Sequence, residues 1–301
     1  MTNESQEELS DLDDAGDSDV ARSLLDQLLT NSKLYKTTES YRALLAFVIR
    51  LRNVAPFNAM LLQLQRPGLT YAASAHDWET RFNRHVKEDA RPLLILWPFG
   101  PVATVYDVLD TYDPTNPNAD GLPENVASFF SAGEITNDRM KSFKSLLERK
   151  SIELRWVDQG DAKAGAICVV SEGKEDKEAS YLVKLNKNHP PAVQFTTLAH
   201  ELGHLFLGHI GPNARLNIPK RRVRTHSEVE IEAESVAYLV CERNNIKSKS
   251  ESYLSHFVKD GVKADSLDLY QITRAAGQIE SILKLTMHTK FPPSKKRKLS
   301  Q

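Results

Sequence analysis

Cysteine is scarce, with only Cys168 and Cys241 in 301 residues. That count cannot supply a disulfide framework. One cysteine falls on a strand pattern and the other on a helical one, so both read as buried free thiols in a reducing cytoplasm. The chain has no apolar run near the length of a membrane span and no secretory h-region at its start, so it is expected to be cytoplasmic, with no membrane partner. It has almost no net charge either: 39 Lys and Arg stand against 40 Asp and Glu, giving −1. Attraction of the whole molecule to nucleic acid is thereby excluded, and any such affinity must come from a local patch. What is present is 41% hydrophobic and 26% charged, an ordinary globular composition in a chain long enough for two domains.

One stretch carries chemistry. Phe195-Thr-Thr-Leu-Ala-His-Glu-Leu-Gly-His-Leu-Phe-Leu-Gly-His209 contains H-E-x-x-H, with His200 and His204 one helical turn apart and Glu201 beside the first. At about 100° per residue, His204 lies roughly 40° round the helix from His200 and Glu201 about 60° further, so the three share one half of the cylinder. Two imidazoles so placed can hold one Zn²⁺ while the carboxylate reaches a water as general base. Leu198, Leu202 and Leu205 form the opposite, apolar face, and Gly208 is a helix-ending residue.

Catalytic zinc usually takes three protein ligands. Extrapolated along the helix, His209 falls about 180° from His200 and is a poor third. The acidic segment Ser227-Glu-Val-Glu-Ile-Glu-Ala-Glu-Ser-Val-Ala-Tyr-Leu-Val-Cys241 is better. As a helix it places Glu230 and Glu234 on one face, with Ala233 and Ala237 small enough for close approach to the motif helix. Glu230 is then the ligand and Glu234 an acceptor steadying a ligand histidine. Glu228 and Glu232 read as solvated charges.

H-E-L-G-H followed by E-x-E-A-E-S-V-A resembles the gluzincin-type metallopeptidases of the ImmA/IrrE group. In that family the third ligand is the first glutamate of an E-x-x-A-acid helix, a pattern that falls on Glu230, Ala233 and Glu234. The resemblance covers the second half of the chain and implies peptide-bond hydrolysis in a protein or peptide substrate, which for that group would be a regulatory protein.

The first half is organised differently. Residues 1–20 are acidic and read as a disordered tail, while 291–301, with Lys295, Lys296, Arg297 and Lys298, form a basic one. Helical patterns run through Leu24, Leu25, Leu28 and Leu29, then Leu44, Leu45, Val48 and Ile49, then Phe57, Met60, Leu61 and Leu64. A short helix over 76–83 precedes two strands, 92–97 and 102–109, with a turn at Pro98-Phe99-Gly100. Phe57-Asn58-Ala59-Met60-Leu61, Trp78 and Val105-Tyr-Asp-Val-Leu-Asp-Thr111 resemble the N-terminal domain of ArdC-type antirestriction proteins, which implies single-stranded DNA as a partner. Arg81, Arg84, His85, Lys87 and Arg91 near Trp78, Tyr71 and Phe82 are the residue types for phosphate contact and base stacking. They equally suit a solvated basic edge over core aromatics.

These readings combine into an α+β architecture: an ArdC-N-like α+β domain over 21–113, a linker over 114–125, and a zincin-like domain over 126–290. In the second domain a helix (137–150) and strand (152–157) precede a hairpin (164–170 with 180–185) joined by a charged loop, its last strand offering an edge to an extended peptide. Leu254 to Phe257 and the stretch 267–285 would pack as covering helices, and the basic loop Lys220-Arg-Arg-Val-Arg224 either meets an acidic partner or stays solvated. The expected activity is zinc-dependent endopeptidase chemistry, with His226 and Tyr181 as candidate oxyanion donors. The competing expectation is a single-stranded-DNA-binding antirestriction or regulatory protein with the zincin domain as scaffold.

Overall fold

The computed structural model describes residues 37–96, 102–115, 135–158, 160, 164–172, 179–246 and 266–285. Both charged tails, the first leucine pattern, the 98–100 turn, most of the 114–125 linker and the 254–257 stretch lie outside the described residues. The architecture is mixed α and β. One compact unit falls within Leu61–Val126, and the other takes in Leu34–Met60 together with Ala127–Met287.

In the second unit, helix α1 (Thr38–Arg50) starts at a capping box on Thr37. Its Leu44, Leu45 and Val48 are buried. Helix α2 (Pro56–Gln65) begins at a proline, as its missing N–H allows, and runs across the division between the units. Then come α4 (Asn137–Glu148), β6 (Ile152–Val157), β7 (Gly165–Ser171), β8 (Ser180–Asn186), α5 (Pro191–Phe206), α6 (His226–Arg243) and α7 (Leu269–Ile282). The sheet order is β6-β8-β7, with β6 parallel and β7 antiparallel to β8. The last strand is therefore central and has no free edge, contrary to expectation, because β6 takes its outer side. The open edges among the described residues are those of the two outer strands, β6 and β7.

The sequence groups 37–60 with the first domain, whereas the structure places it in the second unit. An amphipathic pattern shows that a helix has an apolar face, not which core receives it. Here that face meets α6. The Tyr41 hydroxyl donates to Ser235 Oγ at 2.8 Å. Buried Arg243 donates to the carbonyls of Leu51 at 3.0 Å and Val54 at 2.8 Å, and pairs with Glu280 of α7 at 2.8 Å. One guanidinium thus satisfies carbonyls that the end of α1 leaves without helical partners.

The first unit holds β1 (Ala72–Ala73), α3 (Ala75–Phe82), β2 (His85–Val86), β3 (Leu93–Leu96), β4 (Val102–Asp107), a 3-10 turn (Val108–Asp110) and β5 (Thr111–Tyr112). Strands β1, β4 and β3 make one antiparallel sheet, and β2 pairs with β5. Its core is aromatic. Trp78 is fully buried, with ring centroids 5.5 Å from Tyr71 and 5.1 Å from Phe82, and its indole N–H donates to Tyr106 O at 2.9 Å.

This arrangement corrects the reading of Trp78 as a stacking surface, since the ring is fully buried and its donor already used. Arg84 is buried as well, donating to Thr111 Oγ1 at 2.7 Å and to the Thr111 carbonyl at 3.0 Å. Arg81 pairs with buried Asp77 at 2.8 Å. Of the five proposed nucleic-acid contacts, Lys87 and Arg91 are exposed.

Candidate metal centre

The site is built by two helices crossing at small residues. Helix α5 enters at Pro190-Pro191, with a proline suited to the first turn, and buries Phe195, Leu198, Leu202, Leu205 and Phe206. Helix α6 starts at Thr225, whose side chain and that of Glu228 cap each other's backbone, so Glu228 is a capping residue rather than a free surface charge. A Cβ added at Gly203 would come within 3.2 Å of Ala233 O and 3.3 Å of Ala233 Cα. The glycine of H-E-L-G-H and the alanine of the acidic helix are what allow the two backbones to approach.

That approach brings three donors to one point. His200 Nε2 and His204 Nε2 lie 3.1 Å apart, and Glu230 reaches them with Oε2 at 3.5 Å and Oε1 at 3.7 Å respectively. This group could hold a metal ion. Glu234 Oε2 lies 3.1 Å from His200 Nδ1, steadying the ring from behind.

The electrostatics favour a cation at that point. Burial works against charge on His200, yet its contacts with Glu230 and Glu234 outweigh this and push it up to about 9. Burial, with repulsion from His200, pushes His204 down to about 4. The hydrogen bond with His200 holds Glu230 below the usual carboxylate range. Charge is thus favoured on His200 and disfavoured on His204.

Glu201 lies near enough to His200 and Glu230 to feel both charges. Burial raises its pKa above the ordinary carboxylate value and nearby Glu230 adds to the rise, while His200 and the backbone N–H of Ile167 on β7 oppose it. Strand β7 comes close to α5 because Gly165 lacks a side chain; a Cβ there would stand 2.5 Å from Thr197 Cγ2.

The two oxyanion candidates separate. His226, at the exposed start of α6, has Nδ1 3.8 Å from Glu230 Oε1. Tyr181 is buried, and its hydroxyl accepts from Asn213 Nδ2 at 2.9 Å. Among the cysteines, Cys241 is buried but Cys168 is exposed, because it lies on the outward row of an edge strand and not in a sheet interior.

Two further residues belong to the site and were not recognised as such in the sequence. Glu232 is buried, not solvated, and His209 Nε2 lies 3.1 Å from its carboxylate. His209 Nδ1 in turn lies 3.1 Å from His204 Nδ1. The helical extrapolation misplaced His209 because α5 ends at Phe206 and Gly208, with φ of +78°, turns the chain back. The signal was Gly208 itself. A Schellman ending brings the residue after the glycine onto the residue four before it, and here that pair is His209 and His204. The basic loop is also drawn inward: Arg221 and Arg224 reach Glu232 at 3.0 and 3.2 Å.

Comparison with protein-family models, curated proteins and solved structures finds no match to this chain.

Proposed function

We propose that the protein is a zinc-dependent metallo-endopeptidase with a zincin-like second unit, acting on an extended protein segment. The observation that carries this reading is the convergence of His200, His204 and Glu230 beside a partly buried Glu201. Two imidazoles and a carboxylate are a donor set of catalytic zinc. Donors about 2.0–2.1 Å from a tetrahedral ion would stand about 3.3 Å apart, and the observed separations of 3.1, 3.5 and 3.7 Å bracket that value. The resemblance of H-E-L-G-H and E-x-E-A-E to the ImmA/IrrE group agrees with the same chemistry.

Zinc, when bound, supplies Lewis acidity toward water and a scissile carbonyl. The protein's own residues do the rest. Glu201 accepts a proton from the attacking water and returns it to the leaving amine, and its raised pKa suits both directions of transfer. His226, exposed at the start of α6 and near Glu230, is the donor assigned to the developing oxyanion. Strand β7, with Cys168, Val169 and Val170 exposed, is suited to receive a substrate backbone as an added strand. No helix among the described residues is long and apolar enough to cross a membrane.

The test is a proteome-wide comparison of cleavage products between the wild-type protein and Glu201→Gln. New termini present only with the wild type support the reading, and indistinguishable products overturn it.

A further inference from the structure

We propose that His209 and Glu232 are positioning residues that fix the tautomer of His204, so that its Nε2 is left as a metal-binding lone pair. The inference rests on the metal reading above and assigns a role to two residues outside its ligand set.

Glu232 has no exposed side chain, and its carboxylate meets Arg221 at 3.0 Å, Arg224 at 3.2 Å and the backbone N–H of Asp268 at 3.0 Å. Held by two guanidiniums and a peptide N–H, it stays ionised and can only accept. His209 Nε2, 3.1 Å away, must therefore carry a proton. In a neutral imidazole the other nitrogen is then an acceptor. That nitrogen, Nδ1, faces His204 Nδ1 at 3.1 Å, so His204 is the donor there. Its Nε2 is consequently unprotonated, and that atom points at His200 and Glu230.

The backbone secures the same contact. Gly208 N–H donates to Leu205 O at 3.0 Å and His209 N–H to His204 O at 3.0 Å, the paired bonds of a Schellman ending. A Cβ at Gly208 would meet Pro219 O at 2.5 Å, so the turn is closed to larger residues. Arg221 also donates to Leu207 O at 3.2 Å, tying the loop that neutralises Glu232 to the end of α5. The two histidines are thus supported differently. His200 meets a carboxylate directly, whereas His204 reaches one through a second imidazole. Helix α6 supplies Glu230 to the ligand set and Glu234 and Glu232 to the two supports.

The test uses the full chain with Zn²⁺ alone, by competition with a chromogenic chelator, together with imidazole proton–nitrogen NMR. His209→Leu is expected to weaken zinc binding by about 10–100-fold, the range for a lost outer partner of a ligand histidine. His209→Asn restores an acceptor for His204 and should recover most of that loss. In the wild type, NMR should show His209 protonated at Nε2 and His204 at Nδ1. Undiminished zinc binding by folded His209→Leu, no recovery in His209→Asn, or His209 protonated at Nδ1 instead would each overturn the assignment. If the wild type itself binds no zinc, the metal reading fails and this inference with it, an outcome distinct from those three.

Discussion

Helices α5 and α3 each display polar side chains beside a large apolar face, yet they use them in opposite ways. On α5, His200 and His204 are held at Nδ1 by Glu234 and His209, which leaves their Nε2 atoms directed at one point shared with Glu230. On α3, Asp77 and Arg81 consume each other, and Trp78 and Phe82 are absorbed into the core. Chemistry survives folding where polar groups are held by their outer atoms and left open at their inner ones. Where the charges pair with each other along one helix and the rings pack into the core, the same residue types become structure.

The largest effect expected from this difference is at Glu201. Glu201→Gln preserves shape but removes the proton acceptor, so hydrolysis of a defined peptide should fall about 10²–10⁴-fold with zinc content unchanged. Turnover within a factor of a few of the wild type would return α5 to the same class as α3.

Next comes the ligand set. The wild type should carry about one zinc per chain, and Glu230→Ala should lose most of it. The proper control is Glu228→Ala, which removes only the exposed N3 half of the capping box. Glu232→Ala would leave Arg221 and Arg224 buried without their carboxylate and would confuse metal loss with unfolding. Equal metal loss from Glu230→Ala and Glu228→Ala would move the third ligand elsewhere.

For α3 the corresponding change is Trp78→Ala. With the indole wholly buried against Tyr71 and Phe82, the loss should be about 3–5 kcal/mol of stability, read by chemical denaturation. A smaller loss, under about 1 kcal/mol, would mean that the ring is available to a ligand after all.

These contrasts show which parts of the chain the sequence could reveal. A helix with a fixed turn constrains directions, so His200, His204 and Glu201 could be placed on one face, and the four-residue step from Glu230 to Glu234 could be read likewise. The strand pairs expected at 92–97 with 102–109 and at 164–170 with 180–185 are found as 93–96 with 102–107, where a 3-10 turn takes over at Val108, and as 165–171 with 180–186. Sequence proximity without a period constrains nothing of the kind, and Trp78, Arg84 and Lys87 went in different directions. Long-range partners were equally hidden. Nothing local announces that α1 packs on α6, that β6 closes the outer side of β8, or that Arg221 and Arg224 turn toward Glu232.

The smallest effect concerns the basic residues of the first unit that remain exposed. Lys87→Ala with Arg91→Ala should change stability by no more than about 0.5 kcal/mol, because neither side chain holds a buried partner. The Lys87 ammonium donates to Leu109 O at 2.9 Å, but this is an exposed contact that water can replace. The same pair limits what this region can contribute to single-stranded DNA binding. Two phosphate contacts to a single strand predict a slope of log affinity against log salt of about −1.4. With Trp78 buried, no stacking contribution from that ring is added. Retention of the full chain on an unstructured oligonucleotide should therefore be weak, no steeper in salt than that value, and abolished by the double change. A steeper slope that survives it would place nucleic-acid recognition on another surface of the protein, and α3 would still be core.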